Sequence, residues 1–120
     1  MTPLLVEAKA DLFSVLDSGP LNGVDSVYDY EPHREASGPC YVTVELFAIT
    51  PTDTTWAVRV YNQLLDSPEG AAATRDVAVV AVDDRLGQNN YGPSRWEAGF
   101  DDALGCLVAR TLVDVGRETF

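Results

Sequence analysis

The sequence predicts an α+β domain, a mostly antiparallel sheet of four to five strands with two helices packed on one face. Three observations point there. The chain opens on an amphipathic segment at helical spacing. Two runs that alternate apolar and polar side chains then follow each other across a short turn. A segment of helix length separates that pair from a last alternating run. Half-polar outer faces joined by short turns indicate antiparallel pairing, with helices covering the other face. At 120 residues with 46% hydrophobic content, residues 1–120 read as a single domain that can bury one core without staples.

The first helix starts at Thr2-Pro3, where Thr can cap and Pro suits the first helical position. Leu5, Ala8, Leu12, Val15 and Leu16 form its apolar stripe, with Glu7, Lys9 and Asp11 mostly turned away. Ser18-Gly19-Pro20 ends it. Val24 to Tyr30 is a short strand candidate, and the polar stretch from Glu31 to Pro39 reads as a loop. From Cys40 the period becomes two. Cys40, Val42, Val44, Leu46 and Ala48 take one face, and Tyr41, Thr43, Glu45 and Phe47 the other. After a turn at Thr50 to Thr54, Trp56, Val58 and Val60 alternate with Ala57, Arg59 and Tyr61, which makes a hairpin.

Asp66 to Gly70 reads as a second loop. Ala71 to Leu86 is ambiguous. The run Val77 to Val82 has strand propensity, yet the segment has helix length and stops on Gly87-Gln88-Asn89-Asn90. Helix is the preferred reading. Ser94 to Phe100 is extended. In the last run Leu107, Ala109, Thr111, Val113 and Val115 share a face, opposite Val108, Arg110, Leu112 and Asp114. A helical stripe also fits this run, but Gly105 and the β-branched residues favour strand.

Chemistry is sparse in the sequence. His33 sits in the charged loop Glu31-Pro32-His33-Arg34-Glu35, where a solvated histidine is the simpler reading than a general base. Cys40 and Cys106 lie in apolar runs and read as buried, reduced thiols; with His33 they do not form a zinc pattern. The pairs Asp83-Asp84 and Asp101-Asp102 point in divergent directions, so neither is a ready acid/base dyad. The expectation is a non-enzyme with no cofactor and no metal. No apolar run approaches the ~20 residues of a membrane span, and no signal peptide is evident.

The formal net charge of −11 disfavours binding to nucleic-acid backbone or to anionic membranes. It suits solubility, or a surface that stays near DNA without sticking to it. Trp96 and Phe100, with Arg117 and Phe120 in the tail, are candidates for a subunit interface, where aromatics and Arg are favoured. The competing reading of the aromatics is core beneath the last strand.

Three stretches carry a likeness to a known family. They are the opening helix followed by Gly23-Val24-Asp25-Ser26-Val27-Tyr28-Asp29-Tyr30-Glu31-Pro32, the strand pair from Cys40 to Tyr61, and Tyr91-Gly92-Pro93-Ser94-Arg95-Trp96 running into Leu107 to Phe120. In this layout the chain resembles the tail terminator proteins of long-tailed bacteriophages, particularly those of actinobacterial hosts. The resemblance implies a small α+β subunit assembled as a six-membered homo-oligomeric ring on the head-proximal end of the tail. Such a ring ends polymerisation of the major tail tube protein and offers a docking surface to the head–tail connector. Genomic DNA passes through its lumen without specific binding. The implied location is the virion tail, after synthesis in the host cytoplasm. The resemblance also favours the helical reading of Ala71 to Leu86 and brings no catalytic residues. A head–tail connector or stopper protein and an acidic, DNA-mimic-like binding module are the alternatives.

Overall fold

The computed structural model describes residues 4–28, 38–63 and 68–116. Its elements run α1 (Leu4–Leu16), β1 (Ser26–Tyr28), β2 (Cys40–Ile49), β3 (Asp53–Gln63), α2 (Pro68–Gln88), β4 (Glu97–Asp101) and β5 (Cys106–Gly116). The five strands form one sheet in the order β1-β2-β3-β5-β4. Every pairing is antiparallel except the short parallel one between β1 and β2. The architecture is the α+β arrangement that the sequence predicts.

Register decides which side chains meet. Val42, Val60 and Ala109 stand opposite one another on β2, β3 and β5, as do Val44, Val58 and Thr111. These positions face the helices. Ala8, Leu12 and Leu16 of α1 and Ala78, Val82 and Leu86 of α2 join Val42, Val44, Trp56, Val58, Val60 and Val113 in the main core. The core positions on α2 recur every four residues, which is one stripe of a helix. Local propensity for strand in Val77 to Val82 is thus overridden by packing of that stripe on the sheet. Both helices rest on the same face, so β3 and β4, which run in the same direction, need a return crossing. The 21 residues of α2 supply it, about 32 Å at 1.5 Å per residue.

Helix ends are closed locally. Arg85 of α2 donates from Nη1 to the carbonyls of Val15 and Gly19 and from Nη2 to that of Pro20, at 3.3, 3.3 and 2.9 Å. These include carbonyls that α1 leaves without an intrahelical partner. At the end of α2, Asn90 takes a left-handed conformation (φ 65°) and the Tyr91 N–H returns to the Leu86 carbonyl at 2.9 Å. Asn is one of the few residues that accept that conformation cheaply.

Three expectations are corrected. Asp66 to Gly70 is not a loop throughout, because Pro68, Glu69 and Gly70 belong to α2; Pro68 opens the helix where its missing N–H costs nothing. Ala48 does not share a face with Val44 and Leu46. A bulge between Leu46 and Ala48 shifts the register so that Ala48 stands opposite Thr55, which moves it to the outer face. The first strand begins at Ser26 rather than Val24 and is described as far as Tyr28, Asp29 and Tyr30 lying outside the described residues; the extended segment after α2 pairs regularly only over Glu97–Asp101, with an isolated bridge between Pro93 and Val113. The loop from Glu31 lies outside the described residues up to residue 37.

Candidate functional site

Both helices pack on one face of the sheet, and alternation decides what the other carries; there Tyr41, Thr43, Ala57 and Tyr61 are buried, and Tyr41, Tyr61 and Cys106 form a second, smaller cluster. A central row runs across four strands as Thr43, Arg59, Arg110 and Glu97. Two arginines therefore stand directly opposite each other on neighbouring strands, a placement that like charges disfavour. Carboxylates flank them. Arg59 reaches Glu45 at 3.7 Å, Arg110 reaches Glu97 at 3.8 Å, and Arg95 reaches the same Glu97 oxygen at 3.7 Å. The Arg110 guanidinium also lies 5.3 Å over the Phe47 ring, a cation–π contact across the face. Ala57, on the strand between them, is buried.

Beside this row lies an open trough of about 450 Å³ lined by Arg59, Arg110, Glu97, Phe100, Asp102 and Val108 among others. Its outer wall is β4, whose residues Glu97 to Phe100 are all exposed. Among the described residues β4 pairs only with β5, so its outer backbone edge is open. On the same face Tyr41 stacks on Tyr61, which also lines the trough, at 4.9 Å and meets Tyr28 edge-on at 6.0 Å.

The interface candidates fare differently. Trp96 is half-buried against the core, and its indole N–H donates to Asp83 Oδ1 at 3.0 Å. Phe100 is 50% exposed on the edge strand. Arg117 and Phe120 lie outside the described residues, as does His33. The juxtaposition of Arg59, Arg95 and Arg110 was not read from the sequence. Its signal was there, since Arg59 and Arg110 occupy polar-face positions of two alternating runs, but which runs are neighbours is a matter of sheet order.

Exposed apolar side chains continue elsewhere. Leu46, Phe47 and Ile49 at the end of β2 are 42%, 49% and 50% exposed, and Val77 and Val80 on α2 are 50% and 59% exposed.

One member of each acidic pair is used structurally. Asp83 holds Trp96, and Asp101 Oδ1 accepts the Leu104 N–H at 3.1 Å in the β4–β5 turn. Among the described residues, no group of three or more His, Cys, Asp or Glu side chains could hold a metal ion. Cys40 and Cys106 are free and buried. Burial pushes the Cys40 thiol up to about 12, with the nearby Asp25 charge adding to the shift. Asp25 also accepts the Cys40 N–H at 2.9 Å. Among the described residues, no helix is long and apolar enough to cross a membrane. No known protein family matches this chain, and no curated protein matches it.

Proposed function

We propose that the chain is a structural subunit of a phage tail, resembling the tail terminators, which closes into a six-membered ring at the head-proximal end of the tail tube. In this reading the ring ends tube polymerisation, docks the head–tail connector and conducts DNA through its lumen. The observation that carries the proposal is the amount of apolar side chain that one subunit leaves in water. Leu46, Phe47, Ile49, Val77, Val80 and Phe100 are all at least 42% exposed, spread over the β2 end, α2 and the edge strand. Apolar surface on several sides of a small domain suits a chain that works inside an assembly. A sheet with both helices on one face and charged side chains such as Arg59, Glu45, Arg110 and Glu97 on the other further supports it, because each subunit then presents two unlike surfaces, as a ring contact requires.

The charge of −11 per subunit supports the same reading. Six copies multiply it, and carboxylates along a lumen repel phosphate at short range, so DNA slides without sticking. Reversal of lumen-facing carboxylates should slow ejection; unchanged ejection and infectivity would discard this part.

The deciding measurement is solution mass by light scattering, with negative-stain images, for the chain alone and with tube protein. A ring with an open centre, alone or on tube ends, is expected. A monomer that neither assembles nor binds tube ends overturns the proposal.

A further inference from the structure

An asparagine followed by glycine is chemically labile, and the chain carries that pair at Asn22-Gly23, on the crossing from α1 to β1. Leu21 to Val24 close as a β-turn, the Leu21 carbonyl accepting the Val24 N–H at 3.1 Å. Gly23 is third in that turn at φ +80°, a conformation that favours glycine. Asn22 and Gly23 are both exposed, whereas Leu21 is buried in the main core and Val24 packs against it. α2 passes close by, since a Cβ on Gly23 would stand 3.2 Å from the Thr74 carbonyl oxygen. The turn is therefore open at its tip and pinned at its base.

Reactivity depends on the backbone amide that follows each asparagine, because that nitrogen is the atom able to attack the side-chain Cγ. The chain has four asparagines, Asn22, Asn62, Asn89 and Asn90. Three are guarded. After Asn62 the Gln63 N–H donates to the Pro39 carbonyl at 2.8 Å. After Asn89 the Asn90 N–H donates to the Gly87 carbonyl at 3.2 Å, and after Asn90 the Tyr91 N–H donates to that of Leu86 at 2.9 Å. Asn62 is also buried, and Asn89 Nδ2 donates to the Arg85 carbonyl at 2.9 Å. Neither the Gly23 N–H nor the Asn22 side chain has a hydrogen-bond partner among the described residues. Glycine also sets no Cβ beside the reacting atoms.

We infer that Asn22 is a site of self-modification, where the chain converts its own asparagine into an isoaspartyl linkage. The Gly23 nitrogen gives its proton to hydroxide and bonds to Asn22 Cγ. The Cγ–Nδ2 bond breaks, ammonia leaves with a proton returned from water, and a cyclic imide remains. Water then opens the imide, and nothing is oxidised or reduced. Opening at the side-chain carbonyl leaves an ordinary aspartyl residue. Opening at the main-chain carbonyl routes the backbone through Cβ and Cγ and adds one carbon to the turn. Either product adds one negative charge to a chain at −11. The isoaspartyl product also enlarges the ring closed by the Leu21–Val24 hydrogen bond, so Leu21 and Gly23 cannot both keep their places.

The test incubates the full chain in warm, mildly alkaline buffer and follows its peptides by mass spectrometry, with isoaspartate assayed by enzymatic methylation. Conversion should fall on Asn22 at least about tenfold faster than on any other asparagine, since each of those must first break a backbone hydrogen bond. The separated isoaspartyl fraction should unfold at lower urea than the fresh chain. Asn22→Asp, freshly prepared, carries the charge without the extra carbon and should unfold at nearly the same urea as the wild type. Asn22→Gln, whose longer side chain closes the ring poorly, should remove the isoaspartate signal. The inference is overturned if Asn22 stays intact, if all four asparagines convert alike, or if the signal persists in Asn22→Gln. An isoaspartyl fraction as stable as the fresh chain, or no less stable than Asn22→Asp, overturns the backbone part.

Discussion

Arg85 on α2 donates a hydrogen bond to the carbonyl of Val15, in the last turn of α1, at 3.3 Å. The same guanidinium reaches Ser18 Oγ, the Gly19 carbonyl and the Pro20 carbonyl. One side chain thus joins the two helices and satisfies backbone acceptors at a helix end, where a cation is also favoured by the helix dipole. Arg85→Ala should lower stability by about 2 kcal/mol, the scale of losing several charge-assisted bonds at a partly exposed site. Urea denaturation followed by far-UV circular dichroism reads the change. Arg85→Lys should recover only part of it, because an ammonium cannot span the same carbonyls. Equal stability of Arg85→Ala and the wild type would remove this joint from the account.

Glycine matters at Gly38. Its φ is +83°, and an added Cβ would stand 2.5 Å from Asp25 Cβ. That aspartate accepts the Cys40 N–H, so Gly38→Ala both strains the backbone and pushes away the group that starts β2. A cost of roughly 2 kcal/mol or more is expected. Gly99→Ala serves as the control, with open space around the new methyl and no left-handed backbone. It should stay within about 0.5 kcal/mol of the wild type. Similar losses at both positions would contradict the geometry.

Thr43 is fully buried on β2, and its hydroxyl has no hydrogen-bond partner among the described residues. A buried hydroxyl without a partner keeps its desolvation cost and gains nothing. Thr43→Val has nearly the same shape and retains the β-branched preference for strand. It should raise stability by about 1 kcal/mol, seen as a higher midpoint with an unchanged denaturant slope. A lower midpoint would mean the hydroxyl is satisfied.

Cys40 predicts a pH dependence with a defined sign. In the folded chain its thiol is pushed up to about 12 from an ordinary 9.0. Below pH 9 both folded and unfolded thiols are protonated and the full stability is present. Above pH 9 the unfolded thiol ionises while the folded one does not, so stability falls as pH rises towards 12. The slope from this group is about 1.4 kcal/mol per pH unit in that window. Tyr91, also raised by burial and by the Asp11 charge, adds a loss in the same direction above its ordinary value of 10.0. Cys40→Ala should flatten the profile between pH 9 and 10. Consistent with burial, a thiol reagent at pH 8 should label neither Cys40 nor Cys106 until the chain unfolds.

The exposure of the two aromatics was not legible in the sequence. Phe100 is exposed on the edge strand, whereas Trp96 turns its indole to Asp83. Nothing in the local sequence separates these two aromatics, because the difference lies in what α2 brings beside them. Arg59 and Arg110 are 51 residues apart by their numbers, yet stand opposite each other in the sheet. Alternation assigns each to an outer face, but neighbourhood comes from strand order.

By itself the sequence determined most element types and most side-chain faces, because a period of two or of about four is a property of short stretches and of burial on one side. Leu12 with Leu16, Val42 with Val44, and Ala109 with Val113 all face the core their spacing predicts. Tertiary structure decided three things. It settled the valine-rich run of α2, whose propensity favoured strand while its length and punctuation favoured helix, because its four-residue stripe had a sheet to cover. It moved Ala48 to the outer face through one extra residue in β2. It set β5 between β3 and β4, which brought the arginines together. Each of these depends on contacts between segments far apart in the chain, and the free energy of such contacts is carried by no local stretch of residues.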